Sequence, residues 1–298
     1  MRTLAQRAEH LAAAMPRLMM EAGRIAASVQ HGLHGRRRAG NGETFWQYRQ
    51  FMDGEPANRV DWRRSARDDQ LYVREREWEA AHTVWIWPDL SPSMDYASRR
   101  HAPKAERALV LAFALAELMV QAGERVGTPG LMPPTASRRI IEKMAQAVLL
   151  ATRGGDASES LPPGFAPGPR AEVVLLSDFW SPAVETSTRI AALAATGARG
   201  HLVQVVDPSE ETFPFSGRVE FHEPESGGEI IAGRAESWRD AYEAKLAEHR
   251  DHLRRAAQRA GWTFQIHRTD RPASELLLAL HARLGQGGAG VSEKGRGA

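Results

Sequence analysis

The stretch His82-Thr83-Val84-Trp85-Ile86-Trp87-Pro88-Asp89-Leu90-Ser91-Pro92-Ser93-Met94 decides how this chain reads. An apolar run ends in an acid, and two serines follow at alternate positions. A short apolar run bounded by turn residues reads as a buried strand. In open α/β sheets, ligands gather outside the carboxyl ends of such strands. Asp89, Ser91 and Ser93 therefore offer one carboxylate and two hydroxyls at a sheet edge. These are hard oxygen donors, suited to Mg²⁺ or Mn²⁺. The same residues also suit a plain polar turn in which Ser93 caps a helix. Pro88 lacks the N–H that a central ladder uses, which predicts a strand ending early and a displaced first loop.

Further strands follow. Glu172-Val173-Val174-Leu175-Leu176-Ser177-Asp178 is the clearest, and His201–Asp207 and Trp262–His267 read the same way. Glu124–Gly127 is a shorter one. Helical spacing marks Pro103–Gly123, with Gly123 as its stop, and a second helix opened by Thr135-Ala136-Ser137. Ile190–Ala195, Ala235–Ala260 and Ser274–Leu284 complete the set. Strands alternating with helices at this spacing imply an α/β fold. Its sheet is doubly wound and mostly parallel, with helices on both faces. Asp89 and Asp178 each close an apolar strand, so parallel pairing sets both at one edge. Two acids with serine hydroxyls there suit an octahedral Mg²⁺ whose shell water completes.

The expected organisation has three parts. Residues 1–80 hold an N-terminal helix with Pro16 as a kink or break, a basic loop around Gly35-Arg36-Arg37-Arg38, and a charged extension packed on the main domain. In that extension Arg59, Asp61, Arg63 and Arg67 read as an ion-pair network, with Trp62 as a buried wedge. Residues 81–285 form the main domain, with an inserted hairpin at about 215–233. Residues 286–298 are a Gly-rich tail expected to be disordered.

Composition narrows the function classes. The 298 residues contain no cysteine, which excludes disulfides and thiolate metal sites. Lys and Arg number 39 against 37 Asp and Glu, so net charge gives little support to nucleic-acid binding. The first residues are amphipathic but interrupted by charge, unlike a secretory signal, and no run is long enough to span a bilayer. A cytoplasmic location follows as the expectation, with peripheral membrane association through a partner as the alternative.

Several motifs in order carry a resemblance. Gly40-x-Gly42-x-x-Phe45, Arg49, Gly54, Arg59-Val60-Asp61-Trp62-Arg63, Ser65-Ala66-Arg67 and Tyr72-Val73-Arg74-Glu75 resemble domain-of-unknown-function family fifty-eight. Asp89-x-Ser91-x-Ser93-Met94, Ser177-Asp178, Val206-Asp207-Pro208-x-Glu210 and Glu223-Pro224-Glu225-Ser226-Gly227 agree with it. The resemblance implies a von Willebrand factor type A-like domain carrying a metal-ion-dependent adhesion site. Its ligands would be Asp89, Ser91, Ser93 and Asp178, with a threonine from an intervening loop, Thr135 or its competitor Thr128. It also implies a partner protein that completes the metal shell with a carboxylate. A MoxR-type AAA+ ATPase is implied as a working partner, with an unknown client protein.

The leading expectation is a non-enzymatic adaptor with a Mg²⁺-dependent (or Mn²⁺-dependent) site. The alternatives are a degenerate, metal-free interaction domain, a metal-dependent phosphoesterase using Asp89, and a nucleic-acid binder using Arg36 to Arg38. The phosphoesterase reading lacks an acid two residues after Asp89, where Ser91 stands without a useful pKa. The arginine run has no interleaved aromatics for base stacking.

Overall fold

The computed structural model describes residues 3–34, 45–52, 55–67, 70–76, 82–98, 101–155, 159–224 and 227–289. In chain order they form α1 (Leu4–His34), β1 (Phe45–Gln50), α2 (Trp62–Ser65), β2 (Tyr72–Arg76), β3 (Thr83–Pro88), α3 (Lys104–Gln121), β4 (Arg125–Thr128) and β5 (Met132–Thr135). Then come α4 (Ile140–Gly154), β6 (Glu172–Ser177), α5 (Ala183–Ala194), β7 (Arg199–Val206), α6 (Pro208–Thr212), β8 (Val219–His222), β9 (Glu229–Ala232), α7 (Arg239–Arg259), β10 (Thr263–Arg268) and α8 (Ala273–Ala289). The chain divides into a main unit, residues 1–31 with 82–298, and a smaller unit, residues 32–81. The N-terminal helix thus belongs with the main unit rather than with the charged extension.

The main unit is a mixed α/β layer structure around a mostly parallel sheet of order β5-β4-β3-β6-β7-β10. Its central strands are continuous apolar runs because both faces are covered. Every residue of β6 is buried. Side chains alternate between faces: Trp87, Val173, Leu175 and Leu202 share a core with Ile190 and Leu193 of α5 and Leu253 and Ala257 of α7. On the other face α3 lies across β3, β4, β6 and β7 and packs on α4 and α8. A helix enclosed on all sides must be apolar all round, and α3 is buried continuously from Ala108 to Ala116.

Pro88 does not shorten its strand. It pairs in register with Leu176, and the next amide, Asp89, donates to the Leu176 carbonyl at 2.8 Å. Successive residues of a parallel strand turn their amides to opposite neighbours, so the missing N–H of Pro88 faces β4. That strand pairs with β3 only as far as Trp85, so no ladder bond is lost and the loop is not displaced. Thr135 does not open a helix either. It ends β5, an antiparallel edge strand in which Pro133 and Pro134 are tolerated because an edge needs fewer donors.

Pro16 lies inside α1 without ending it. Leu11, Met15, Leu18, Ala22, Ala26 and Val29 form its buried stripe. The hairpin β8–β9 has its own small core, in which Phe213, Ala232 and Ala235 meet Phe215, Phe221 and Tyr242. The last helix runs on through Ala289, past the expected start of the tail. Residues 290–298 and Arg36 to Arg38 lie outside the described residues. Among the described residues no helix is long and apolar enough to cross a membrane.

In the smaller unit β1 and β2 pair antiparallel, and Val60 bridges to Val73. The Asp61 carboxylate caps α2 by accepting the Arg64 amide at 3.0 Å. The Arg64 guanidinium covers the Tyr72 ring at 4.8 Å. Arg49 pairs with Glu55 through two bonds of 2.6 and 2.9 Å. Asp61 thus acts as a cap, while Arg63 and Arg67 are exposed. Trp62 is 62% exposed and is not a buried wedge; Ser65 is the buried residue of this short helix.

Candidate metal centre

Asp89 follows β3, Asp178 follows β6 and Asp207 follows β7, three neighbouring parallel strands. The registers Pro88 to Leu176 and Ser177 to Gln204 set these strand ends side by side. Strand order turns back here, with β4 and β5 on one side of β3 and β6, β7 and β10 on the other. Loops leaving adjacent strands in opposite directions open a crevice at such a point.

Asp89 is fully buried. Its Oδ1 accepts the Ser91 amide at 2.8 Å, and its Oδ2 accepts the Ser177 hydroxyl at 2.6 Å. The Ser91 and Ser93 hydroxyls are 3.3 Å apart. Burial first, and then the charge of Asp178, push the Asp89 carboxyl up from its ordinary 3.8 to about 7; the bonds from Ser177 and Ser91 oppose this. The turn after β6 is held just as firmly. Phe179 takes φ 55, a left-handed conformation costly for a bulky residue. Its amide donates to Ser177 Oγ at 2.9 Å, and its carbonyl meets His249 Nε2 at 2.7 Å.

A lysine stands beside the acids. Lys104, the first residue of α3, is 1% exposed, and its Nζ donates to Asp178 Oδ2 at 2.8 Å and Glu210 Oε1 at 2.5 Å. Burial works against the ammonium, but the two carboxylates hold its pKa above the ordinary lysine value. Glu210 also accepts the Trp180 indole N–H at 3.2 Å and, through Oε2, the Asp207 amide at 2.8 Å. That last bond is half of a capping box at α6; in the other half Asp207 Oδ1 accepts the Ser209 amide at 2.9 Å. Burial pushes Asp207 up, yet bonds from Ser98 and Ser209 hold it below the ordinary value.

The structure brings Asp89, Ser91, Ser93 and Asp178 to one buried edge. It leaves Thr135 on the flanking strand β5, level with Val126 of β4. Thr128 ends β4 one position beyond the pairing of Gly127 with Trp85, below the level of Asp89. Its buried Oγ1 has no hydrogen-bond partner. Lys104, Ser177 and Glu210 were not legible as members of this edge. Only the Ser177-Asp178 and Asp207-Pro208-x-Glu210 runs gave a signal, as motifs without a role.

The donors present fit a hard divalent cation. They are buried oxygens, two of them carboxylate-borne at Asp89 and Asp178. Among the described residues the ion pairs of this edge go to Asp178 and Glu210, and Asp89 is met by hydrogen bonds alone. A buried carboxylate in that state is costly, and a cation would relieve it.

A family model described as "Protein of unknown function DUF58" matches residues 47–252. The chain belongs to the DUF58 family. No curated protein matches this DUF58 chain. Among solved structures it is similar to an aerotolerance-related membrane protein from Bacteroides fragilis NCTC 9343 carrying multiple mutations to serines. That likeness has 16% identity and a TM-score of 0.38, covering 69% of this chain and 100% of the other. It is also similar to the conserved hypothetical protein BatB from Bacteroides thetaiotaomicron, at 18% identity and a TM-score of 0.36, with the same coverage of 69% and 100%.

Proposed function

We propose that this DUF58 protein is a non-enzymatic adaptor of the von Willebrand factor type A kind, which grips a partner protein through a bound Mg²⁺ or Mn²⁺. The observation that carries this reading is the meeting of Asp89 and Asp178, from two different strands, with the Ser91 and Ser93 hydroxyls at a buried switch point. Asp89, Ser91, Ser93 and Asp178 would hold the ion, and a carboxylate from the partner would complete its shell. The ion supplies positive charge at a desolvated interface, where a charge pair is stronger than in water. Ser177 keeps Asp89 oriented, and Lys104 keeps Asp178 oriented. Ser91, standing where a phosphoesterase needs an acid, argues against hydrolysis.

Family resemblance points to a MoxR-type AAA+ ATPase as the partner, acting with this protein on a client complex. The test is capture of the purified ATPase on the immobilised protein in MgCl₂ and in EDTA. Retention in Mg²⁺, with loss in EDTA and in Asp89→Ala, is the expected result. Equal retention in all three removes the metal from the mechanism.

A second reading is favoured by Lys104. An ammonium already bonded to Asp178 allows a domain that binds partners without any metal. Unchanged melting of the wild-type protein on adding Mg²⁺ supports that reading.

A further inference from the structure

We infer that Lys104 is a resident cation of the acidic edge, and that it sets how tightly a divalent ion is held there. The inference rests on the metal reading above and adds a residue that no motif assigns. Lys104 reaches the edge from the start of α3, Asp178 from the end of β6 and Glu210 from α6, the short helix that follows β7. Its side chain is sealed from solvent, so the ammonium has no water to return to. Two of its three donors are fixed at 2.8 and 2.5 Å, and the Tyr96 ring stands 5.8 Å away.

The geometry divides the acids. Asp178 Oδ2 is bound by Lys104 and Oδ1 by the Trp180 amide at 3.2 Å. A carboxylate oxygen has a second lone pair, so Asp178 can still meet a metal, but as an acid already half neutralised. Asp89 bears no such partner and would carry most of the charge of the ion. Asp89, Asp178, Glu210 and the neighbouring Asp207 outnumber the Lys104 ammonium, so the edge is acidic once Asp89 is ionised, and a divalent cation would offset that charge. Without Lys104 the edge would be one charge more negative, and repulsion between ammonium and metal, strong at this burial, would vanish.

The expected consequence is opposite to that of an ordinary stabilising lysine. Lys104→Met keeps the length and apolar stem of the side chain and removes only its charge. Titrated with MgCl₂ by calorimetry, it should bind on the order of tenfold more tightly than wild type. Glu210→Gln keeps the Lys104 to Asp178 pair and an acceptor for the Asp207 amide. It should bind several-fold more weakly, because one acid is gone and the ammonium serves Asp178 alone.

Tighter binding in Lys104→Met with weaker binding in Glu210→Gln supports the inference, as does binding in Lys104→Met where wild type shows none. Equal or weaker binding in a folded Lys104→Met, with wild type binding Mg²⁺, overturns the role of Lys104 and leaves the metal reading standing. No binding in wild type or either variant overturns both. Should Lys104→Met fail to fold, Glu210→Gln decides: Mg²⁺ affinity equal to wild type overturns the inference.

Discussion

Ser177 Oγ donates to Asp89 Oδ2 at 2.6 Å while accepting the Phe179 amide at 2.9 Å. One hydroxyl thus orients an acid from the neighbouring strand and fixes the left-handed turn that follows its own. Ser177→Ala leaves a buried carboxylate oxygen and a buried N–H without partners. The loss should be about 2 kcal/mol or more in the absence of metal, since each orphaned group keeps its desolvation penalty. Urea denaturation in EDTA measures it. A change below about 0.5 kcal/mol would show that the bond contributes nothing net.

Legibility followed burial. The strands β3, β6 and β7 declared themselves because a strand covered on both faces has to be an apolar run. Their order then placed Asp89 and Asp178 together without any contact being visible in sequence. By contrast β5, Met132-Pro133-Pro134-Thr135, has the composition of a turn. It is a strand only through its pairing with β4, so Thr135 read as a helix start. Lys104 was illegible for a different reason. A lysine at the start of a helix reads as solvated, and its partners lie 74 and 106 residues along the chain. Tertiary neighbours, not local pattern, make it part of the site.

Arg7 ties α1 to the serine-bearing loop. Its guanidinium donates to the Leu90 carbonyl at 2.5 Å and pairs with Asp95 at 2.6 Å, bracketing Ser91 and Ser93 between two anchors. Arg7→Ala should destabilise the protein by roughly 1.5–3 kcal/mol, the range for hydrogen bonds to charged groups. Hydrogen exchange should also quicken at the amides of Ser91 to Asp95 more than in β6. Uniform exchange across both segments would remove the anchoring role.

Gly200 lies in β7 under the Trp262 indole, and a Cβ there would stand 2.1 Å from ring carbons. The ring is itself fixed, 4% exposed and bonded through Nε1 to the Ala198 carbonyl at 3.1 Å. Gly200→Ala must displace either the ring or the strand and should cost about 3 kcal/mol or more. The double variant Gly200→Ala, Trp262→Leu should recover part of that loss, read as a partial return of the urea midpoint.

Pro16 sits within α1 on its exposed side, so the helix carries a residue that offers no N–H to Ala12. Its neighbours Met15 and Leu18 are packed, and the helix persists because that buried stripe outweighs local propensity. Pro16→Ala should therefore stabilise the protein, by about 1–3 kcal/mol. A higher melting temperature with unchanged Mg²⁺ response is the expected readout. No gain would mean that α1 has relaxed around the proline at no cost.

Two buried groups titrate in opposite senses across one pH window. Asp89 is pushed up to about 7 by burial and by Asp178, so the folded protein holds its proton more tightly than the unfolded chain. Its contribution to stability is fully present below the ordinary value of 3.8 and is lost as pH rises through about 7. His267 is pushed down from 6.5 to about 4 by burial and by the Arg107 guanidinium. Its contribution is fully present above 6.5 and is lost as pH falls through about 4. Asp207 and Asp270, both held below the ordinary carboxylate value, change charge on the acid side of this window. In EDTA the wild-type stability should therefore be nearly flat between pH 4 and 7, with the two slopes cancelling. Asp89→Asn should uncover the histidine, with stability rising by about 3 kcal/mol as pH increases from 4 to 6.5. His267→Gln should uncover the aspartate, with stability falling by about 4 kcal/mol from pH 4 to above 7. Saturating Mg²⁺ should remove that fall, because a bound cation replaces the proton on Asp89. Urea denaturation at unit pH steps measures all three proteins, and slopes of the same sign in the two variants would refute the assignment.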